Sequence, residues 1–163
     1  MNKVYLELSD RIQGELADLE TNVQRAMKSW TLAQKVDEAQ DVYLDSVALN
    51  LHGLYSAAER LFELIVRNGD RSVLEGAAWH RDLLEQISKD VPGVRPAVIS
   101  KDTAKELDKF RRFRHLVRNV YTFNLKPERM SALMKDLPEV WGKLSAELLA
   151  FSRFLKALSD GLT

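Results

Sequence analysis

Apolar residues recur every three to four positions along most of the chain, a period that selects α-helix over β-strand. In the first segment Leu8, Ile12, Leu16, Leu19, Val23, Met27 and Trp30 form such a stripe, with Asp10, Arg11, Glu15, Asp18 and Arg25 between them. One long amphipathic helix is predicted there. A second begins near Asp37 or Asp41 and runs to Arg67, with Val47, Leu51, Leu54, Ala58, Leu61 and Ile65 on one face and Leu44, Tyr55 and Phe62 widening it. Asn68-Gly69-Asp70 is expected to end it through a glycine C-cap.

A shorter helix is predicted from Arg71 to Asp90, carrying Trp79, Leu83, Leu84 and Ile87. Pro92, Gly93 and Pro96 then break the pattern, so Val91 to Ser100 reads as a connecting loop. Ser100 or Asp102 can cap the next helix, which continues through Leu107, Phe110, Phe113 and Val117 to Tyr121. Pro127 suits the first turn of a last helix bearing Met130, Leu133, Leu137, Trp141, Leu144, Leu148, Phe151, Leu155 and Leu158. Inside that pattern Pro138 removes a backbone donor and crowds the preceding turn, so a kink or break is expected near Asp136 to Pro138. No strand-like alternation, internal repeat or low-complexity run appears. Four long helices plus a short one make an all-α, antiparallel up-and-down bundle the simplest architecture.

Composition agrees with that reading. Apolar residues supply 45% of the chain and Gly and Pro only 7 and 4 positions, the usage of a helix-rich globular protein. With 163 residues a single domain over 1–163 is expected, long enough to bury one core. The absence of cysteine excludes disulfides and thiolate metal sites and suits a reducing cytoplasm. The start, MNKVYLELSDR, has no apolar signal-like core, and no run has the length of a membrane span, so a cytoplasmic protein without membrane attachment is expected. Twenty-four basic residues balance twenty-four acidic ones, which removes any global positive field, so a nucleic-acid contact has to be local.

The local exception is Lys109 to Tyr121, where five cationic side chains and one of the three histidines are concentrated. On a helix, Phe110, Phe113, Val117 and Val120 cover one side, while Arg111, Arg114, Arg118, His115 and Asn119 share an arc of roughly 140° on the other. Guanidinium groups can clamp a phosphodiester, an imidazole can move a proton near neutral pH, and an amide can hold an oxygen. Those are the needs of RNA cleavage by the ribose 2′-hydroxyl, which requires no cofactor; no metal-ligand motif such as H-E-x-x-H is present either. The plainer alternative is an arginine-rich face that is simply solvated or paired with acids of neighbouring helices. Phe110 and Phe113 fall on the apolar side and read as core rather than as stacking platforms for bases.

Three positions elsewhere bear on this face. Glu59 lies amid apolar helix positions, and a buried carboxylate needs a cationic partner, so a supporting contact with an arginine across the bundle is expected. His52 reads as a surface or interface residue. Trp79-His80-Arg81 can form part of a groove, but the preferred reading is a core tryptophan beside two exposed polar residues.

The blocks Leu51 to Phe62 (LHGLYSAAERLF), Ala78 to Gln86 (AWHRDLLEQ), Pro92 to Pro96 (PGVRP) and Phe113 to Tyr121 (FRHLVRNVY) occur in the order that resembles HepT-like proteins of the HEPN superfamily over nearly the whole chain. The resemblance implies an antiparallel helical bundle and a homodimer, partnered by an MNT-type nucleotidyltransferase antitoxin in a type II toxin-antitoxin pair. It also implies a metal-independent endoribonuclease acting on RNA, with an arginine, a histidine and a tyrosine two positions beyond the histidine. Arg114 and Tyr121 match that pattern. Asn119 stands where the histidine is expected, and His115 directly follows the arginine, so the two residue types are exchanged. The site this implies has Arg114, His115 and Asn119 in catalysis and Arg111 and Arg118 on phosphate, with Tyr121 as the position at which an antitoxin adds adenylyl groups. Because asparagine cannot transfer a proton, the alternative implied is a non-catalytic HEPN-fold protein that only binds its nucleotidyltransferase partner.

Overall fold

The apolar stripes become the inner faces of five helices. In the computed structural model, which describes residues 2–119 and 125–161, these are α1 (Asn2–Lys35), α2 (Gln40–Ile65), α3 (Trp79–Ile87), α4 (Lys101–Asn119) and α5 (Pro127–Ser159). No strand occurs among the described residues, so the chain is an all-α bundle. Helix α1 packs on α2 and α5, and α4 packs on the same two, closing a ring of four long helices; short α3 lies across α2 and α4.

Polar contacts between the helices record the antiparallel register. Ser9 meets Ser152 with Oγ atoms 2.8 Å apart, and Trp141 donates its indole N–H to Glu20 at 2.6 Å, so 11 residues forward on α1 are 11 back on α5. Between α1 and α2 the hydroxyls of Ser29 and Ser46 meet at 2.7 Å. Seven residues away along both helices, a Cβ on Gly53 would come 3.0 Å from Asn22 Oδ1, so a larger residue there would have to displace the Asn22 side chain. Between these contacts Ile12, Leu19, Leu51, Leu61, Phe62, Ile65, Ile87 and Leu137 are almost wholly buried. Each such side chain contributes roughly 1.5–3 kcal/mol by leaving water. An exposed helix ion pair such as Lys3–Glu7 contributes only about 0.3–0.5 kcal/mol, so the core dominates.

Three local expectations change. Helix α2 does not end on a glycine cap: it widens into one π turn over Val66–Asp70, and the left-handed residue that stops it is Arg71, with φ 53°. Helix α3 starts at Trp79 rather than Arg71, and the preceding segment is irregular. Asp70 explains both. Its carboxylate accepts Nε and Nη2 of Arg95 at 2.6 and 2.7 Å and the amide of Gln86 at 3.1 Å, which draws the chain after α2 toward the loop beyond α3. Third, α5 is not broken near Asp136 to Pro138; it runs through Pro138, which is exposed where water can replace the missing backbone donor.

Helix α4 is capped by Ser100, whose hydroxyl accepts the Thr103 N–H at 3.1 Å, while Glu147 of α5 holds the Ser100 N–H at 2.9 Å. This anchored start sets which way the basic face of α4 turns. Leu107, Phe110 and Phe113 are buried and Val117 half-buried, leaving the arginines directed away from the core.

Candidate functional site

Arg114, His115 and Arg118 lie three, four and seven residues beyond Arg111 along α4, so all four side chains rise from one side of the helix. Facing them, α2 presents Tyr55, Ser56 and Glu59. Glu59 is 5% exposed, too buried for a carboxylate to stay charged without partners. It has two, from two different helices. His80 Nδ1 of α3 lies 2.8 Å from one carboxylate oxygen and Arg114 Nη1 lies 3.4 Å from the other. Arg114 also donates its Nε–H to Ser56 Oγ at 2.8 Å, which fixes the orientation of the guanidinium fork.

His80 is held on its face as well as its edge. The ring of Trp79 stacks on it with centroids 3.7 Å apart and planes tilted by 30°, and Trp79 is itself packed against the core. Around these groups opens a cleft of about 420 Å³. Its walls carry Arg81, Arg111, Arg114 and Arg118 together with His80 and His115, and its remaining lining is Ala77 and Ala78, at the N-terminal end of α3. Ala78 precedes that helix and makes no side-chain hydrogen bond to it, so this wall of the cleft is formed by small side chains.

The charge balance is positive. Asp108 engages Arg111 at 2.7 Å and Arg112 at 3.3 Å, and Glu59 offsets Arg114 from below; Arg81 and Arg118 have no acidic partner within ion-pair distance among the described residues. One neighbouring group registers this field, and a second is governed by burial. His52 on α2 is pushed below the ordinary histidine pKa, first by burial and then by the charges of Arg114 and Arg118. Burial, reinforced by Glu59, pushes the phenol of Tyr55 above its usual range, and its hydroxyl is buried with no hydrogen-bond partner among the described residues. Such a cleft can take a phosphodiester, neutralise charge that develops on it, and exchange protons through imidazole.

The structure therefore brings Arg111, Arg114, His115 and Arg118 together in one cleft, with Glu59 beneath it. Tyr121 and the side chain of Asn119 lie outside the described residues; the backbone of Asn119 is the last residue of α4. Sequence reasoning undervalues His80 and Arg81, which line the cleft and are not merely exposed neighbours of Trp79, and His52, which senses the same two arginines. The available signal is Glu59: a carboxylate buried at the centre of a helix calls for more than one partner. Among the described residues no group of three or more histidine, aspartate or glutamate side chains is arranged to hold a metal ion, and no helix is long and apolar enough to cross a membrane.

A family model described as HepT-like protein matches residues 46–155, a span that includes every residue of the cleft. No curated protein and no solved structure gives a significant match to the chain.

Proposed function

The chain belongs to the HepT-like family, and from that premise we propose that it is the toxin of a type II toxin-antitoxin pair, cleaving RNA without a metal ion. The observation that carries this reading is the cleft itself: four arginines and two histidines lining about 420 Å³ in a protein whose formal net charge is zero. Cations gathered at such close range repel one another, and a bound phosphodiester would offset that repulsion. Arg114, fixed by Ser56 and Glu59, clamps the scissile phosphate. Arg111 and Arg118 hold the flanking backbone, His115 transfers a proton, and Asn119 orients the phosphate by hydrogen bonding.

In this reading two chains pair so that their α4 faces form one continuous basic groove, and an MNT-type nucleotidyltransferase covers it. Adenylylation at Tyr121 adds negative charge and bulk three residues beyond Arg118 and so competes with RNA phosphate. The second reading, a non-catalytic partner of the nucleotidyltransferase, is favoured by one observation: Asn119 occupies the position of the family's histidine and cannot exchange a proton.

Incubating the purified chain, unmodified at Tyr121, with total cellular RNA in excess chelator separates the two. Discrete cleavage that is lost in a folded His115→Ala variant is the expected result; intact RNA from a folded wild-type dimer selects the non-catalytic reading. A monomeric mass by light scattering at micromolar concentration would remove the composite groove.

A further inference from the structure

We infer that His80, held by the buried carboxylate of Glu59, is the general base of the cleft. The inference rests on the ribonuclease reading and gives it a second imidazole, from α3, that the arrangement of residues on α4 alone does not supply. The problem it addresses is chemical. Cleavage by the 2′-hydroxyl needs one group to accept a proton and another to donate one, and asparagine at position 119 can do neither. His115 alone would have to serve on both sides of the phosphorus.

Three features of His80 suit it to accept the proton. Glu59 takes its Nδ1 edge at 2.8 Å, and an ionised carboxylate there keeps the proton of the neutral ring on Nδ1. That leaves a lone pair on Nε2, at the other side of a ring that lines the cleft. Trp79, stacked at 3.7 Å, fixes the plane of the ring, so the lone pair has one direction. Glu59 also touches Arg114, so the group that orients the base and the group that clamps the phosphate share one anchor. A carboxylate that holds an imidazole on one nitrogen and stabilises its protonated form is the arrangement by which histidine becomes an effective base in other hydrolytic sites.

The step then balances. As the ribose O2′–P bond forms, the 2′-hydroxyl proton passes to Nε2 of His80. The P–O5′ bond breaks, and the departing O5′ takes a proton from the protonated ring of His115. The products are a 2′,3′-cyclic phosphate and a 5′-hydroxyl, and the two imidazoles return to their starting protonation through solvent. Arg114 and Arg118 face the phosphoryl oxygens throughout. In this scheme Glu59 is a positioning residue: it touches His80 and Arg114 and never the RNA.

The test uses the full chain with a short RNA substrate, and the same oligonucleotide with 2′-deoxyribose throughout as a non-cleavable binding probe. His80→Ala and His80→Gln are compared with wild type for both cleavage and probe binding. Glutamine keeps a side-chain amide for Glu59 but cannot move a proton. The expected result is a loss of cleavage of about 100-fold or more in both variants, probe binding within about twofold of wild type, and partial recovery of His80→Ala on adding free imidazole. His80→Gln cleaving within about threefold of wild type overturns the inference and leaves the ribonuclease reading standing. Parallel loss of probe binding and cleavage, without imidazole rescue, makes His80 part of the phosphate clamp and also overturns it. Wild-type protein that leaves RNA intact overturns the ribonuclease reading, and this assignment with it.

Discussion

Asp70 with Arg95, and Glu59 with Arg114, are both acid–arginine pairs assembled from distant positions, but only the first is closed. The side chains of Asp70 and Arg95 are 2% and 3% exposed, joined by two hydrogen bonds, and Arg95 spends its remaining donors on the carbonyls of Gln86, Lys89 and Pro96. Every charge there is answered, and nothing is left over for a ligand. Glu59 is equally buried, yet its arginine is 15% exposed and sits among further cations at the edge of a cleft. The first pair ties the π turn to the loop after α3, while the second shares its carboxylate with His80 and leaves positive charge directed toward solvent. Burial of an acid beside an arginine therefore does not distinguish brace from site; the count of unanswered charges around the pair does.

The sharpest way to break this comparison is to delete each arginine in turn. Arg95→Ala strands a buried carboxylate and three carbonyls and should cost about 3–5 kcal/mol in urea unfolding, while the RNA binding of protein that remains folded is retained. Arg114→Ala should do the reverse. Cleavage of RNA falls by about 10²–10³-fold, and the unfolding midpoint moves far less than in Arg95→Ala. Equal stability losses in the two variants would erase the distinction.

Within the open region the same counting ranks the cations. Arg111 already has Asp108 at 2.7 Å, whereas Arg118 has no acidic partner within ion-pair distance among the described residues. Arg118→Ala should weaken RNA binding several-fold more than Arg111→Ala and reduce the salt dependence of binding by a larger step. The smallest effect concerns His52. Its pKa lies below the unfolded-state value of about 6.5 because burial, Arg114 and Arg118 disfavour the charged ring. The folded state therefore binds this proton less readily than the unfolded one. The associated stability is fully present above the unfolded pKa and is lost as pH falls through that value toward the lower folded pKa. An NMR titration of His52 should show the depressed midpoint, and RNA bound at Arg114 and Arg118 should move it upward; a midpoint indifferent to RNA would place the phosphates elsewhere.

The parts of this molecule that follow from local periodicity are legible in its sequence. The inner faces of α1, α2, α4 and α5 can be read from apolar spacing, as can the opposition of Phe110 and Phe113 to Arg111, Arg114 and Arg118 on α4. Ser100 and Pro127 mark helix starts through their own chemistry. Contacts between segments are another matter. Asp70 and Arg95 are 25 positions apart, and no spacing rule links them, yet their pairing decides where α2 stops and why α3 begins at Trp79. His80 joins the cleft because α3 lies across α2 and α4, a tertiary fact invisible to a helical wheel. Pro138 misleads for a related reason: its cost depends on which side faces water, and here the exposed side carries it.

Mounting the brace and the cleft on separate pairs also bears on how such a chain can change over generations. Because Asp70 and Arg95 fix the path into α3 without borrowing any group from the cleft, substitutions at Arg81, Arg111 or Arg118 can alter what is bound without endangering folding. The cleft is free to drift in charge, to lose chemistry or to regain it from a neighbouring position, while the scaffold that presents it is inherited intact.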